Sequence, residues 1–234
     1  MHAAQGPRLP YSLVAGVAPT ASGWLVASAK LRGATFAPEE PRLFDAFREV
    51  LDDRPSLSII VVNVPIGSLD AFSTAQRSCD REVQALLKGH SRAPVFAGAS
   101  RVAGSVGDAP ALNDESDFRR ARRLEVAREM LPSSQRVVYE GHPNLSFYQL
   151  NDYEVLRSSS ESGDVIDERR AILERKVPGV TRVLDAKLPG VLPGELNEVS
   201  ALLWTARRVF GHSATRLPSE GEWDSRGLRM ELVM

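Results

Sequence analysis

The stretch Leu57–Val64, LSIIVVNV, constrains the fold more than any other part of the chain. It is a nearly unbroken run of β-branched residues with no helical period, so it reads as a strand buried on both faces. Such a strand belongs in the middle of a sheet covered by helices, which makes the protein α/β. Ser12–Val17 (SLVAGV) and Trp24–Leu31 (WLVASAKL) read as two further strands. The turn residues Pro19–Gly23 between them are few enough for a hairpin, hence antiparallel pairing. Ala34–Ala37 adds a short third strand.

Helical spacing supplies the remaining elements. Pro41 opens a helix in which Leu43, Phe44, Phe47, Val50 and Leu51 recur up to a turn at Asp53–Pro55. Thr74–Lys88 is a second helix, stopped by Gly89. Phe118–Leu131 is a third, with Phe118, Ala121, Leu124, Ala127 and Leu131 on its apolar side and Pro132 at its end. Arg136–Glu140 (RVVYE) is a further strand, with a short helix at Leu145–Leu150 behind it. Helices follow over Val165–Lys176 and Glu195–Phe210, the last with Leu196, Val199, Leu203, Ala206 and Phe210 on one face. Leu228–Met234 alternates apolar and polar side chains and adds an edge strand. Residues 1–11 read as a flexible polar lead and residues 91–110, rich in Gly, Ala, Ser and Pro, as a long loop. Nothing resembles a linker or a repeat, so a single domain is expected over residues 1–234. Early antiparallel strands joined to a β–α–β half predict a mixed central sheet flanked by helices.

Composition narrows the function classes. No run approaches the roughly 18 apolar residues of a membrane span, and the opening MHAAQGPRLP lacks the apolar core of a signal peptide. The single cysteine, Cys79, excludes an internal disulfide and a cysteine-rich zinc site, so a cytoplasmic protein with no membrane partner is expected. The net charge of −1 supplies no global basic field for nucleic acid. Lysine occurs only at Lys30, Lys88, Lys176 and Lys187, and the other basic residues are arginines. Arginine suits bidentate phosphate contacts, although a GC-rich genome produces the same bias.

Several short stretches stand out in order along the chain: Gly16-Val17-Ala18, Gly23-Trp24-Leu25-Val26-Ala27, Val62-Asn63-Val64-Pro65-Ile66-Gly67, Cys79-Asp80-Arg81-Glu82 and Tyr139-Glu140-Gly141-His142-Pro143-Asn144-Leu145-Ser146-Phe147. Trp204-Thr205-Ala206-Arg207-Arg208, Leu217-Pro218 and Gly227-Leu228-Arg229-Met230-Glu231 follow. Together they resemble the bacterial family called domain of unknown function 429, described as predicted nucleases of the RNase H fold. The resemblance covers about Ser12 to Val233 and implies an RNase H-like α/β domain.

It also implies a chemistry. A metal nuclease of that fold uses carboxylates because hard Mg²⁺ or Mn²⁺ takes oxygen ligands. Two such ions, roughly 3.5–4 Å apart, clamp the attacking and leaving oxygens of a phosphodiester. The family pattern commonly has an aspartate after Gly-Val on the first strand, where this chain has Ala18, and another before the Pro-Ile-Gly turn, where it has Asn63. The acids of the family's terminal helix match Glu195 and Glu198, three apart and so on one helical face. Alanine is no ligand, and the asparagine amide brings no charge. One weak Mg²⁺ or Mn²⁺ held by Glu140, Glu198 and Asn63, with Glu195 beside it, is the implied remainder of the centre. Asp80, Arg81, Glu82 and His142 are candidates for the cleft around it.

Each candidate has a plainer reading. Glu195 and Glu198 are also what a helix N-terminus favours. His142 suits an orienting hydrogen-bond partner, and no second histidine stands at metal spacing. Asp80, Arg81 and Glu82 suit surface pairs, Cys79 a small buried hydrophobe, and Arg119, Arg120, Arg122 and Arg123 a solvated helix face. The glycines between Gly98 and Gly107 lack both the Walker and the dinucleotide spacing. Three functions therefore stand open: an atypical or degenerate metal-dependent nuclease, a non-catalytic module binding nucleic acid, nucleotide or protein, and a hydrolase built on Glu140 and His142.

Overall fold

The computed structural model describes residues 10–69, 76–87, 117–156 and 163–234. Its strands are β1 (Ser12–Thr20), β2 (Gly23–Arg32), β3 (Thr35–Pro38), β4 (Arg42–Phe44), β5 (Ile59–Val62), β6 (Val138–Gly141), β7 (Arg216–Leu217) and β8 (Leu232–Val233). The helices are α1 (Phe47–Asp52), α2 (Ser78–Leu86), α3 (Asp117–Glu129), α4 (Pro143–Leu150), α5 (Gly163–Lys176), α6 (Thr181–Leu184) and α7 (Pro193–Phe210). All strands join one sheet in the order β3-β2-β1-β5-β6-β8-β7, with β4 also paired to β2. The β1–β2 hairpin is antiparallel, as its turn predicts, while β1, β5, β6 and β8 run parallel. The sheet is therefore mixed.

Strand alternation divides the core into two layers. Val14, Ala18, Ile59 and Val61 pack with residues of α4, α5, α6 and α7. Leu13, Ala15, Val17, Ile60 and Val62 pack with Phe47 and Val50 of α1, Val126 of α3 and Met130 just after it. The β-branched run is thus covered on both faces, the burial its sequence demands. On the first face the α7 backbone lies directly against β1. A Cβ on Gly16 would stand 2.3 Å from both the Leu203 nitrogen and the Val199 oxygen. Glycine is required there by close approach. Among the described residues no helix is long and apolar enough to cross a membrane.

Four expectations need correction. The helix expected from Pro41 begins only at Phe47, because Arg42–Phe44 pairs with Trp24–Val26 as β4. In and just after α3 the buried residues are Arg123, Val126 and Met130, whereas Leu131 is 57% exposed. The helix is turned from its apolar stripe because Glu125 accepts from Trp24 Nε1 at 3.0 Å and from the Phe47 amide. Buried Arg123 also removes the picture of a wholly solvated arginine face. The C-terminal strand β8 is not an edge: it lies between β6 and β7, and β7 forms the edge. The expected strand Arg136–Glu140 starts at Val138, after a 3₁₀ turn at Pro132–Arg136. The ends of the expected Thr74–Lys88 helix and the expected loop 91–110 lie outside the described residues.

Candidate functional site

The parallel strands carry their carboxyl ends to one edge of the sheet. Val17 pairs with Val62, and Val62 with Glu140, so Ala18, Asn63 and Glu140 occur at nearly one level on three adjacent strands. The Asn63 amide donates to the Val17 carbonyl at 2.9 Å, which continues the ladder to that residue. Alternation then separates the three side chains. Ala18 and Asn63 follow Val61 and Val14 onto the α7 face, whereas Glu140 follows Val62 and Val138 onto the other. Glu140 does not converge with Asn63, Glu195 and Glu198.

Its carboxylate is committed elsewhere. Glu140, 1% exposed, accepts from Arg77 Nη2 through Oε1 at 2.6 Å and from Arg77 Nη1 through Oε2 at 2.8 Å. Oε2 also accepts the Ile66 amide at 2.7 Å. Arg77, 0% exposed, stands just ahead of α2 and gives Nε and Nη2 to Asp80 at 2.9 and 2.7 Å. Its Nη1 also reaches the carbonyls of Ile66 and Gly67 at 3.2 and 3.4 Å. The cluster therefore fastens the Pro65-Ile66-Gly67 turn to β6 and α2. Burial alone would lower the Arg77 guanidinium, and Glu140 and Asp80 more than reverse it. Burial pushes Glu140 up to about 7 against the pull of Arg77, and Asp80 adds to the rise. Two carboxylates share one guanidinium in a dry site, so a proton is held more readily than in water.

The neighbouring motif residues separate accordingly. Asp80 is buried in this cluster instead of pairing at the surface. Arg81 is exposed and bonds locally to the Gln76 carbonyl and Ser78 Oγ. Glu82 is half-buried, two positions beyond Asp80 and so on the opposite side of α2. Cys79 is a buried apolar residue beside Val83 and Leu145, and burial raises its thiol.

On the α7 face, Glu195 Oε2 accepts the Leu192 amide at 2.8 Å and caps its own helix. Glu198 is half-buried with its Oε1 3.9 Å from Arg169 Nη1, and burial raises it while Arg119 and Arg169 pull it down. His142 caps α4, its Nδ1 accepting the Asn144 amide at 3.1 Å. Burial first, then the charges of Arg169 and Arg119, lower His142 to about 3. It is a neutral orienting residue, not a proton shuttle. Two buried oxygens on this side have no hydrogen-bond partner, Asn63 Oδ1 and Ser200 Oγ.

These residues do not fit a divalent centre of the kind the resemblance implies. Among the described residues no three His, Cys, Asp or Glu side chains come together as a metal ion requires. Both oxygens of Glu140 are already bonded to Arg77, Glu195 caps its own helix, and Ala18 offers no ligand. Arg77 and Arg169 were not among the sequence candidates. Arg77 had one local signal, its spacing of three from Asp80 at a helix start. Arg169 had none.

The family model described as "Protein of unknown function (DUF429)" matches residues 16–222. No curated protein matches, and no solved structure matches.

Proposed function

The chain belongs to the domain of unknown function 429 family, and from that premise we propose that it is a nucleic-acid-binding module of RNase H-like architecture without metal-dependent cleavage. The antiparallel β1–β2–β3 meander continued by parallel β5 and β6 supports the architecture. The observation that carries the loss of cleavage is the commitment of Glu140 to Arg77, with Ala18 and Asn63 on the neighbouring strand ends. A hard dication needs charged oxygen to offset its hydration. On the α7 face Glu195 is bonded to its own helix and Glu198 stands beside Arg169. What remains at this edge is suited to hydrogen bonding and to an anion.

Fluorescence anisotropy with labelled single-stranded and duplex DNA and RNA tests the reading, with EDTA or Mn²⁺ present. The expected result is binding that weakens steeply with salt, is indifferent to EDTA, and leaves the nucleic acid intact. Mn²⁺-dependent cleavage lost on Glu198→Ala would restore the nuclease reading. Failure of all four nucleic acids to bind at low salt would remove nucleic acid as the ligand.

A further inference from the structure

Arginine is buried at two places in this sheet edge, and the two differ in how their charge is met. Arg77 has two carboxylates within hydrogen-bond distance. Arg169, on α5 and 7% exposed, has none among the described residues. Its Nη2 donates to Asn144 Oδ1 at 2.7 Å, a neutral acceptor. Its guanidinium carbon lies 4.7 Å from the centre of the Phe147 ring. Its Nη1 faces Glu198 at 3.9 Å, too far for a hydrogen bond, and its Nε has no acceptor.

A guanidinium has five N–H donors and is dehydrated at considerable cost. At Arg169 the protein returns one charge-free hydrogen bond and a ring face. Burial lowers this guanidinium, the reverse of what happens to Arg77. Glu198 and Glu168 act against this lowering without reversing it, and Arg119 of α3 acts on the same Glu198 and His142 as Arg169 does. Glu198 is itself pushed toward its neutral form by burial, with Glu195 adding to the effect. The place in the fold is also informative. Arg169 meets Asn144 in the first turn of α4, which starts directly after the carboxyl end of β6. Ligands of open α/β sheets bind at that end of the strands. The first amides of α4 are already bonded to His142 Nδ1 and the His142 carbonyl, so the donor left for a ligand is the guanidinium.

We infer that Arg169, with Asn144 holding its fork, is a binding subsite for a phosphate group. This deepens the nucleic-acid reading and rests on it for the macromolecule, but not for the anion. Free phosphate, a mononucleotide and a nucleic-acid backbone share the chemistry, a tetrahedral oxyanion that takes two N–H donors of one fork. No covalent step is involved.

The test uses the full chain with inorganic phosphate, thymidine 5′-monophosphate and a single-stranded oligonucleotide, each titrated by calorimetry into wild type, Arg169→Met and Arg169→Lys. Wild type is expected to bind phosphate in the millimolar range, and Arg169→Met to weaken it at least about tenfold, the loss of one charge-assisted pair. Arg169→Lys keeps the charge without the fork and is expected to fall between. Arg169→Met leaves the half-buried Glu198 without the cation that faces it, so its melting temperature is measured alongside the titrations. Should that variant fail to fold, Arg169→Lys still decides, since an affinity equal to wild type would show that the fork makes no contact. Absence of phosphate binding by wild type up to about 10 mM would overturn the subsite, as would binding that Arg169→Met leaves unchanged. Oligonucleotide binding without phosphate binding overturns the subsite and leaves the proposed function standing. Phosphate and mononucleotide binding without the oligonucleotide does the opposite.

Discussion

Arg77 and Glu140, 63 residues apart in the chain, meet in a wholly buried two-pronged ion pair that also binds the backbone of the turn after β5. The pair turns a residue expected to hold a metal into one that holds a turn. It also fastens the turn after β5 to β6 and α2.

Breaking this pair should cost far more than breaking a surface one. Arg77→Met leaves Glu140 and Asp80 buried without a cation, a loss of about 3–5 kcal/mol in unfolding free energy. Removing Arg48, whose contacts to Asp52 and Glu129 are exposed, should change stability little. Urea unfolding measures both. Near-equal effects of the two substitutions would deny the cluster its structural role.

The pH dependence of stability should carry two opposed contributions. Glu140 rises from 4.5 to about 7 on folding, so between those values the folded state holds a proton that the unfolded state has lost. Its contribution is present at low pH and lost as pH rises through that window. His142 falls from 6.5 to about 3, so below 6.5 the unfolded chain takes a proton that the folded state refuses. Its contribution is therefore lost as pH drops. Asp80→Asn removes the like charge beside Glu140 and should flatten the first slope, whereas His142→Gln should flatten the second. Denaturation series at several pH values would contradict the assignment if the two variants kept the wild-type profile.

The seam between α7 and β1 should reject any added side chain. Gly16→Ala places a methyl group 2.3 Å from two backbone atoms of α7, so the helix must lift from the sheet. A loss of about 1–3 kcal/mol is expected, the range for overpacked cores. Gly33→Ala is the control for backbone strain: Gly33 has a φ of +57° but nothing within 4 Å of the added Cβ. Thermal melts should show Gly16→Ala to be the more harmful.

Placing acids at the strand ends should create a Mn²⁺ site. Ala18→Asp with Asn63→Asp puts two carboxylates on adjacent parallel strands on the α7 face. Two buried like charges lower stability, and Mn²⁺ that binds only the folded state recovers it. The double variant is thus expected to melt lower than wild type in EDTA and to gain several degrees with Mn²⁺. A wild-type protein that gains as much would mean that a metal is held without these acids.

Some of this architecture was legible in the sequence because its causes are local. The β-branched run that became β5, the short turn of the β1–β2 hairpin, and the apolar spacing of α7 depend on residues within a few positions of one another. His142 as an orienting hydrogen-bond partner and the burial of Cys79 were equally local readings. Where a local signal met a stronger long-range contact, the contact prevailed. Arg42–Phe44 joined β2 as a strand, and α3 turned to bring Glu125 to Trp24 and Phe47.

By itself, then, the sequence determined the mixed α/β layout, the order of its main strands and the family to which the chain belongs. Tertiary structure alone decided that Glu140 points away from Ala18, Asn63 and α7, that Arg77 consumes it, and that Arg169 is buried with Glu198 facing it at 3.9 Å. The physical reason is the range of the interactions. Backbone periodicity is set by neighbours along the chain, whereas the worth of a charge depends on which distant groups share its dehydration.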